Sequence, residues 1–495
     1  MIGLLLHVGT RPDSGTTRMA ERMAERMADS AMVDSAAVVA QYPHGSYAAL
    51  VCKDFYTAVN GSWLEHTTLT ALEDTLPTLG EHTDTASVSS WVALATAQRR
   101  IVSQLLTQAS AAVNTTANTT TSTTTTAWTR VLGLFYKSCR GTPPPAGTVE
   151  TDSGVTRCVA ATYRELGDVL AHAYIASATT PAAIARVRAL AEQLRAAMAA
   201  RFRALPWMTA ATKREALTKL AQMRFLIAML PEDSSLAIYD TLTLSPTDYT
   251  ANLAAVQYAE YLRTQWRDNH PRTDRLPTVS PIFTINAFYG PEQNTIDIPV
   301  ALFHEPWFNP HAGAAEAVET YAGLGVILGH EMAHAFDREG FHKEELPTPS
   351  TDSTWTPAER TAYRAEVEKL KTEYDHFVVT NIHVSGAATL HENVADVGGV
   401  NVALDVYLHT VARHPQVQRN RSLTPTQQFF LTYAAIWRMK TRPERRQQME
   451  ASATHADQQW RVNGVLMTMP AFAQAFGCHP GDAMVLSPTE RARLW

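Results

Sequence analysis

The run His330-Glu331-Met332-Ala333-His334 constrains this chain more than any other feature. Residues four apart lie on one face of a helix, so both imidazoles can reach one metal ion only if the run is helical. Glu331 sits beside them, where a carboxylate can take a proton from an attacking water. The plainer reading is two buried histidines satisfied by their neighbours. It is set aside because Leu324-Gly-Val-Ile-Leu-Gly leads straight into the motif as a well-formed helix. A catalytic zinc site wants a third protein ligand and one open position. Glu392, in His391-Glu392-Asn393-Val394-Ala395-Asp396, is the candidate, with Asp396 four residues on and facing the same way. One can ligate while the other accepts a ring N–H and orients a histidine.

Composition sets the outer bounds. The 495 residues are 45% hydrophobic and 18% charged, enough to bury a large core. A net charge of -6 argues against a nucleic-acid partner. No run of about 18 apolar residues predicts a membrane span. The apolar start Ile2 to Leu6 is short, has no basic residue before it, and reads as a poor signal peptide. Four cysteines are too few for a disulfide-built scaffold.

Along the chain, Arg18 to Asp29 repeats every four residues and predicts a peripheral helix with Met19, Met23 and Met27 on one face. A helix is expected around Ser87 to Ala112. The threonine tract Asn114 to Thr126, with its two glycosylation sequons, reads as a solvated loop, as does the cluster beginning Gly141-Thr-Pro-Pro-Pro. Thr180-Pro181 caps an alanine-rich helix that stops at Pro206, and Thr209 to Met223 gives another. Pro281 to Tyr289 reads as a strand, Gly290-Pro291 as a turn and Thr295 to Pro299 as a short strand. Helical patterns return over Ala314 to Phe336 and Leu390 to about Val411.

With these residues on view, the sequence resembles the neprilysin and endothelin-converting-enzyme family of zinc endopeptidases. The resemblance runs in order from about Val51 to Trp495, with one large gap. It is carried by Cys52-Lys-Asp-Phe-Tyr-Thr-Ala-Val-Asn-Gly-Ser-Trp, Phe135-Tyr-Lys-Ser-Cys139, Trp207-Met-Thr-Ala-Ala-Thr-Lys-Arg-Glu-Ala and Asn286-Ala-Phe-Tyr. The GHExxH and ENxAD elements match in full, and His455-Ala-Asp-Gln-Gln-Trp-Arg461-Val-Asn-Gly matches the family's late His and Arg element.

The resemblance implies a mainly α protein with a small β-sheet (α+β): a thermolysin-like zinc catalytic domain over residues 232–495 and a reduced helical lobe over 65–231. Residues 49–64 would pack on the catalytic domain, and 1–48 would be a peripheral extension. It implies one zinc ion per chain on His330, His334 and Glu392, with Glu331 as general base and Asp396 as the orienting carboxylate. His455 would stabilise the oxyanion and Arg461 would hold a substrate carbonyl. Asn286 and Ala287 would lie on an edge strand that pairs with substrate backbone, and Val326, Ile327, Ile436 and Trp437 would line an apolar pocket for the residue after the cut. Cys52 would pair with Cys478 and Cys139 with Cys158. That pairing favours an extracytoplasmic, secreted or cell-surface location, against a cytoplasmic alternative with four reduced thiols.

Three positions depart from the family pattern. Ala453 stands for an Asp, Asp457 for a Pro, and Met484-Val-Leu-Ser-Pro for Met-Asn-Pro. Between the positions matched by Cys139 and Cys158 the family has a long helical segment that helps roof the cleft. Here only Arg140 to Arg157 remain, so the lobe is expected to be reduced and the cleft more open. No arginine lies between Cys52 and Arg99, so no preference for a free C-terminal carboxylate is expected. The implied function is peptide-bond hydrolysis before large apolar residues, on peptide or polypeptide substrates. A weakly active or inactive peptide-binding member of the same fold is the alternative, and the intact motif argues against it. An aminopeptidase ranks lower, because no GxMEN-type element precedes the motif.

Overall fold

The computed structural model describes residues 48–66, 87–115, 124–144, 154–230, 234–270, 282–310, 317–338, 355–418, 421–451 and 453–495. The start Ile2 to Leu6, the repeat Arg18 to Asp29, most of the threonine tract and part of the Gly141 cluster lie outside them. The elements that position the site are α1 (Phe55–His66), β1 (Ser87–Ser89), α2 (Ser90–Thr115), α3 (Thr124–Gly141), α4 (Val155–Ala178), α5 (Pro181–Ala204), α6 (Ala210–Gln222), β2 (Arg224–Ile227), α7 (Tyr249–Asn269), β3 (Phe288–Gly290), β4 (Thr295–Ile298), α8 (Val326–His334), α9 (Pro357–Asp375), β5 (Val378–Val379), β6 (Ile382–His383), α10 (Leu390–Arg413), α11 (Pro425–Ile436), β7 (Met439–Thr441), α12 (Pro443–Ala451), α13 (Gln458–Met467) and α14 (Pro470–Phe476). Among the described residues the fold is mainly helical with three small sheets.

Local chemistry accounts for many boundaries. Thr180 caps α5 by accepting from the Ala183 amide at 3.1 Å, with Pro181 pre-set for the first turn. Thr356 and Glu359 form a reciprocal capping box at the start of α9. Three expectations shift. Thr124 to Thr126 open a helix rather than extend a loop, because Val131, Leu132, Leu134 and Phe135 of α3 are buried and tertiary packing outweighs threonine's weak propensity. The apolar run from Pro281 reaches strand geometry only at β3. Ile282, Phe283 and Ile285 are buried, and Phe283 packs on Tyr174 and Tyr163 with ring centroids 5.0 and 5.2 Å away. The helix expected over Ala314 to Phe336 runs from Val318 to His334, residues 314–316 lying outside the described residues, but not as one regular α-helix. A short α-helical start, Val318–Thr320, and a π-helical segment, Tyr321–Gly325, lead into α8, and the Leu324 amide bonds the Trp307 carbonyl at 3.1 Å.

The main sheet has the order β2-β4-β3, with β2 parallel and β3 antiparallel to β4, so β3 is an edge that passes beside α8. Among the described residues, α8 and α10 make the most extensive contact between two helices. A Cβ on Gly399 would stand 2.7 Å from the His330 nitrogen and from the Val326 oxygen. One on Gly329 would stand 2.9 Å from the Gly399 Cα. These two glycines let the backbones touch, which carries Glu392 and Asp396 to the histidines. α5 packs behind both helices. Cys52–Cys478 ties the start of the described chain to the region after α14, and Cys139–Cys158 links α3 to α4, as the resemblance implied.

Candidate metal centre and active site

His330 and His334 project from α8 into a cleft of about 450 Å³. Each ring is oriented through Nδ1: His330 faces Asp396 Oδ1 at 2.7 Å, and His334 faces Asp337 Oδ2 at 2.7 Å. A carboxylate accepts only, so both Nδ1 atoms donate, and in the neutral rings that metal binding requires both Nε2 atoms carry lone pairs. The two Nε2 atoms nonetheless lie 3.0 Å apart, and Glu392 Oε2 stands 3.2 Å from one and 3.5 Å from the other. That carboxylate oxygen is buried with no hydrogen bond of acceptable geometry. Three lone-pair donors converging without hydrogens repel one another unless a cation lies between them. Zinc bonds of about 2.05 Å in a tetrahedron set ligand edges of about 3.3 Å, which the three distances bracket. The residues therefore fit a tetrahedral zinc-sized dication.

Electrostatics agree with a site built for positive charge. Burial would raise the Glu392 carboxyl, but His330, His334 and His455 outweigh it and hold it far below the usual carboxylate range. Burial would likewise raise Asp396, and Arg461 with His330 hold it at about 2. The two motif imidazoles are lowered by burial, and His330 also by His334. The bonds to Asp396 and Asp337, with the Glu392 carboxylate close by, more than reverse this, raising His330 and lifting His334 well above 6.5. Without a metal, the cluster attracts protons in its place.

Of the other residues singled out in the sequence, Glu331 lines the cleft beside the donors and is 6% exposed. His455 Nε2 lies 2.9 Å from Glu392 Oε2, so His455 joins His330 and Glu392 in one potential metal-binding group. Asn286, Ala287, Val326, Ile327 and Trp437 all line the cleft. Asn286 and Ala287 come just before the edge strand β3, not within it. Ile436 is elsewhere: it is fully buried, its Cδ1 near Gly323, and it is absent from the cleft wall. Arg461 lines the cleft, but its Nε and Nη2 bond Asp396 at 2.8 and 2.6 Å while its guanidinium lies 4.2 Å from the Trp437 ring centre. Asp396 thus orients His330 and is itself held by Arg461.

Sequence reasoning missed Asp337. The signal was present, a carboxylate one helical turn after His334, but nothing in the pattern said that the helix would end with that side chain turned back on the ring. It also passed over Tyr433, whose hydroxyl donates to the Arg461 carbonyl at 2.8 Å, and His391, which lines the cleft with Nδ1 3.2 Å from the Asp337 carbonyl.

Two family models described as Peptidase family M13 match residues 286–492 and 146–231, together more than half of the chain. Neprilysin-1 of Caenorhabditis elegans is 28% identical over 305 residues, which are 58% of this chain and 39% of that protein. Membrane metallo-endopeptidase-like 1 of Mus musculus is 27% identical over 360 residues, 70% of this chain and 46% of that one. The chain spans about half the length, or less, of the curated relatives it matches. Among solved structures, the zinc metalloprotease Zmp1 of Mycobacterium tuberculosis, in complex with an inhibitor, superposes with a TM-score of 0.57 at 28% identity, covering 71% of this chain and 52% of that one. PepO from Lactobacillus rhamnosis has a TM-score of 0.56 at 22% identity over 98% of this chain and 76% of its own, a likeness of fold. On its sequence matches and its fold, the chain belongs to peptidase family M13.

Proposed function

We propose that the chain is a zinc metalloendopeptidase, with one zinc ion on His330, His334 and Glu392, that cuts peptides before large apolar residues. The observation that carries this reading is the convergence of three lone-pair donors 3.0–3.5 Å apart with Glu331 beside them in one cleft. A zinc ion bound there supplies Lewis acidity, polarising a carbonyl and acidifying water. Glu331 accepts the proton of the attacking water and passes it to the leaving amine. Asp396 and Asp337 hold the imidazoles with Nε2 unprotonated. His455 donates a hydrogen bond to the charge that develops on the carbonyl oxygen. Val326, Ile327 and Trp437 offer an apolar wall to the side chain after the cut. The backbone at Asn286 and Ala287, next to β3, an edge strand among the described residues, is positioned to meet an extended peptide, as in strand addition.

The reading extends to compartment and access. Two disulfides fit an oxidising, extracytoplasmic setting. The short Cys139-to-Cys158 link leaves a reduced lobe, which favours access by longer polypeptides.

A peptide library incubated with zinc-loaded wild type and with Glu331→Gln tests the proposal. Cleavage before Phe, Leu or Ile by wild type alone, with equal zinc on both, is the expected result. Equal zinc with cleavage by neither would favour a peptide-binding protein. Equal cutting of amidated and free-acid peptides is expected of an endopeptidase.

A further inference from the structure

We propose that Arg446 and Asp457 are positioning residues that hold His455 over the donor cluster; this rests on the peptidase reading above. His455 lies on the loop between α12 and α13, and its side chain is 49% exposed. Its own contacts are thin: Thr454 Oγ1 lies 3.1 Å from Nδ1, and both residues are exposed. α12 buries none of its residues and is tethered to the β5–β6 turn by Gln447 Nε2, which donates to the Thr380 carbonyl at 2.9 Å; on the other side of His455, Ala456 is buried in the core.

A charge pair adds the orientation that these two points do not supply. Arg446 of α12 meets Asp457 as a two-pronged fork, Nε to Oδ2 at 2.7 Å and Nη2 to Oδ1 at 2.5 Å. The Asp457 side chain is 5% exposed, and that of Arg446 29%. A paired, planar, mostly dehydrated fork of this kind defines orientation as well as distance. Arg446 Nη2 also reaches Gln459 Oε1 at 3.3 Å, and Gln459 Nε2 donates to Asp54 at 3.1 Å. Asp54 in turn accepts from Asn463 of α13 at 2.7 Å.

Asp457 is also the first fixed point of α13. Its carboxylate caps the helix at the Gln459 amide, 3.0 Å away, and its carbonyl accepts from the Arg461 amide at 2.9 Å. Arg461 then grips Asp396, which orients His330. The fork therefore closes the loop carrying His455 onto the helix that already bears on the metal ligands. The position where the resemblance expects a proline is thus held by an ion pair rather than by a ring. Without the fork, a half-exposed imidazole on a loop would sample many positions, and few would leave Nε2 2.9 Å from Glu392.

The test separates capping from clasping. Asp457→Ser keeps a hydroxyl for the helix cap but frees Arg446, and Arg446→Gln removes the fork from the other side. Arg446→Lys keeps the charge and should restore part of the loss. Arg445→Gln, at an exposed neighbouring position, is the control. All are made in wild type and in His455→Ala, checked for thermal stability and zinc content, and assayed for kcat and KM. Affinity for a phosphinic peptide, a tetrahedral analogue, is measured by calorimetry. In wild type, kcat should fall about tenfold with KM and zinc unchanged, and the analogue should bind more weakly by a similar factor. In His455→Ala the same changes should do almost nothing. An equal loss in both backgrounds, or no loss in kcat, overturns the proposal. If wild type cuts nothing, the peptidase reading itself fails, and equal analogue affinity in wild type and Asp457→Ser then overturns the clasp as well.

Discussion

At the scale of single residues, the site is a set of carboxylates assigned to particular ring nitrogens. Asp396 and Asp337 each decide which nitrogen of a motif histidine keeps its lone pair. Asp337→Asn should therefore weaken zinc binding by roughly 10–100-fold, as the loss of an orienting carboxylate does. Competition against a chromogenic chelator measures it, and unchanged affinity would show that Asp337 has no part in the site. The same experiment carries a pH dependence. Zinc needs both imidazoles unprotonated, and both pKa values are raised in the metal-free protein, so affinity should fall as pH drops through neutrality. In the Asn variant, the rise at His334 loses its main source, and its affinity should fall less steeply. The motif residues could be read from sequence because their spacing is a helical spacing. Asp337 could not, because the meaning of a carboxylate after a helix end depends on where the chain turns.

At the scale of elements, the contact between α8 and α10 sets the geometry of the donors. Gly399→Ala puts a methyl carbon where only 2.7 Å is free. It should cost about 1–3 kcal/mol and spread the donor atoms, so zinc content should fall along with the melting temperature. Full zinc retention with a lowered melting temperature would show that the approach serves packing alone. α9 holds a different kind of stress. Both Glu373 oxygens are buried without a hydrogen-bond partner, and burial pushes the carboxyl well above its ordinary pKa. An unfolded glutamate ionises near pH 4.5 while the folded one resists, so this residue removes stability as pH rises from there through its raised pKa. Glu373→Met should raise stability by about 1–3 kcal/mol at pH 8 and by less at pH 5. An equal gain at both values would show that ionisation is not the cause. Helices with strong caps, such as α5 and α6, were legible from sequence because the cap is local. The strand expected from Pro281 was misjudged because β-branched and aromatic residues also suit a helical core, and Phe283 was claimed by Tyr163 and Tyr174.

At the scale of the whole molecule, Cys52–Cys478 closes the described chain into a loop with a sequence separation of 426. Breaking it should destabilise the fold by about 2–5 kcal/mol, read from denaturant unfolding of Cys52→Ser with Cys478→Ser. Four free thiols in the denatured, unreduced protein would remove both bridges from the argument. The sequence by itself determined which side chains can do the chemistry. A helix imposes a four-residue repeat on its faces, and the ligand types in His330-to-His334 and Glu392-to-Asp396 follow from that repeat and from composition. The family-wide pairing of four cysteines was equally plain from the resemblance. Only the tertiary structure decided how those groups meet. The two-helix contact brings Glu392 within 3.5 Å of both imidazoles, the chain turn after α8 gives His334 its carboxylate, and Ile436 goes to the core while its neighbour Trp437 faces the cleft. The physical reason is that periodicity fixes direction along one element, whereas distances between elements are set by side-chain volume, buried charge and the places where a missing Cβ lets two backbones touch.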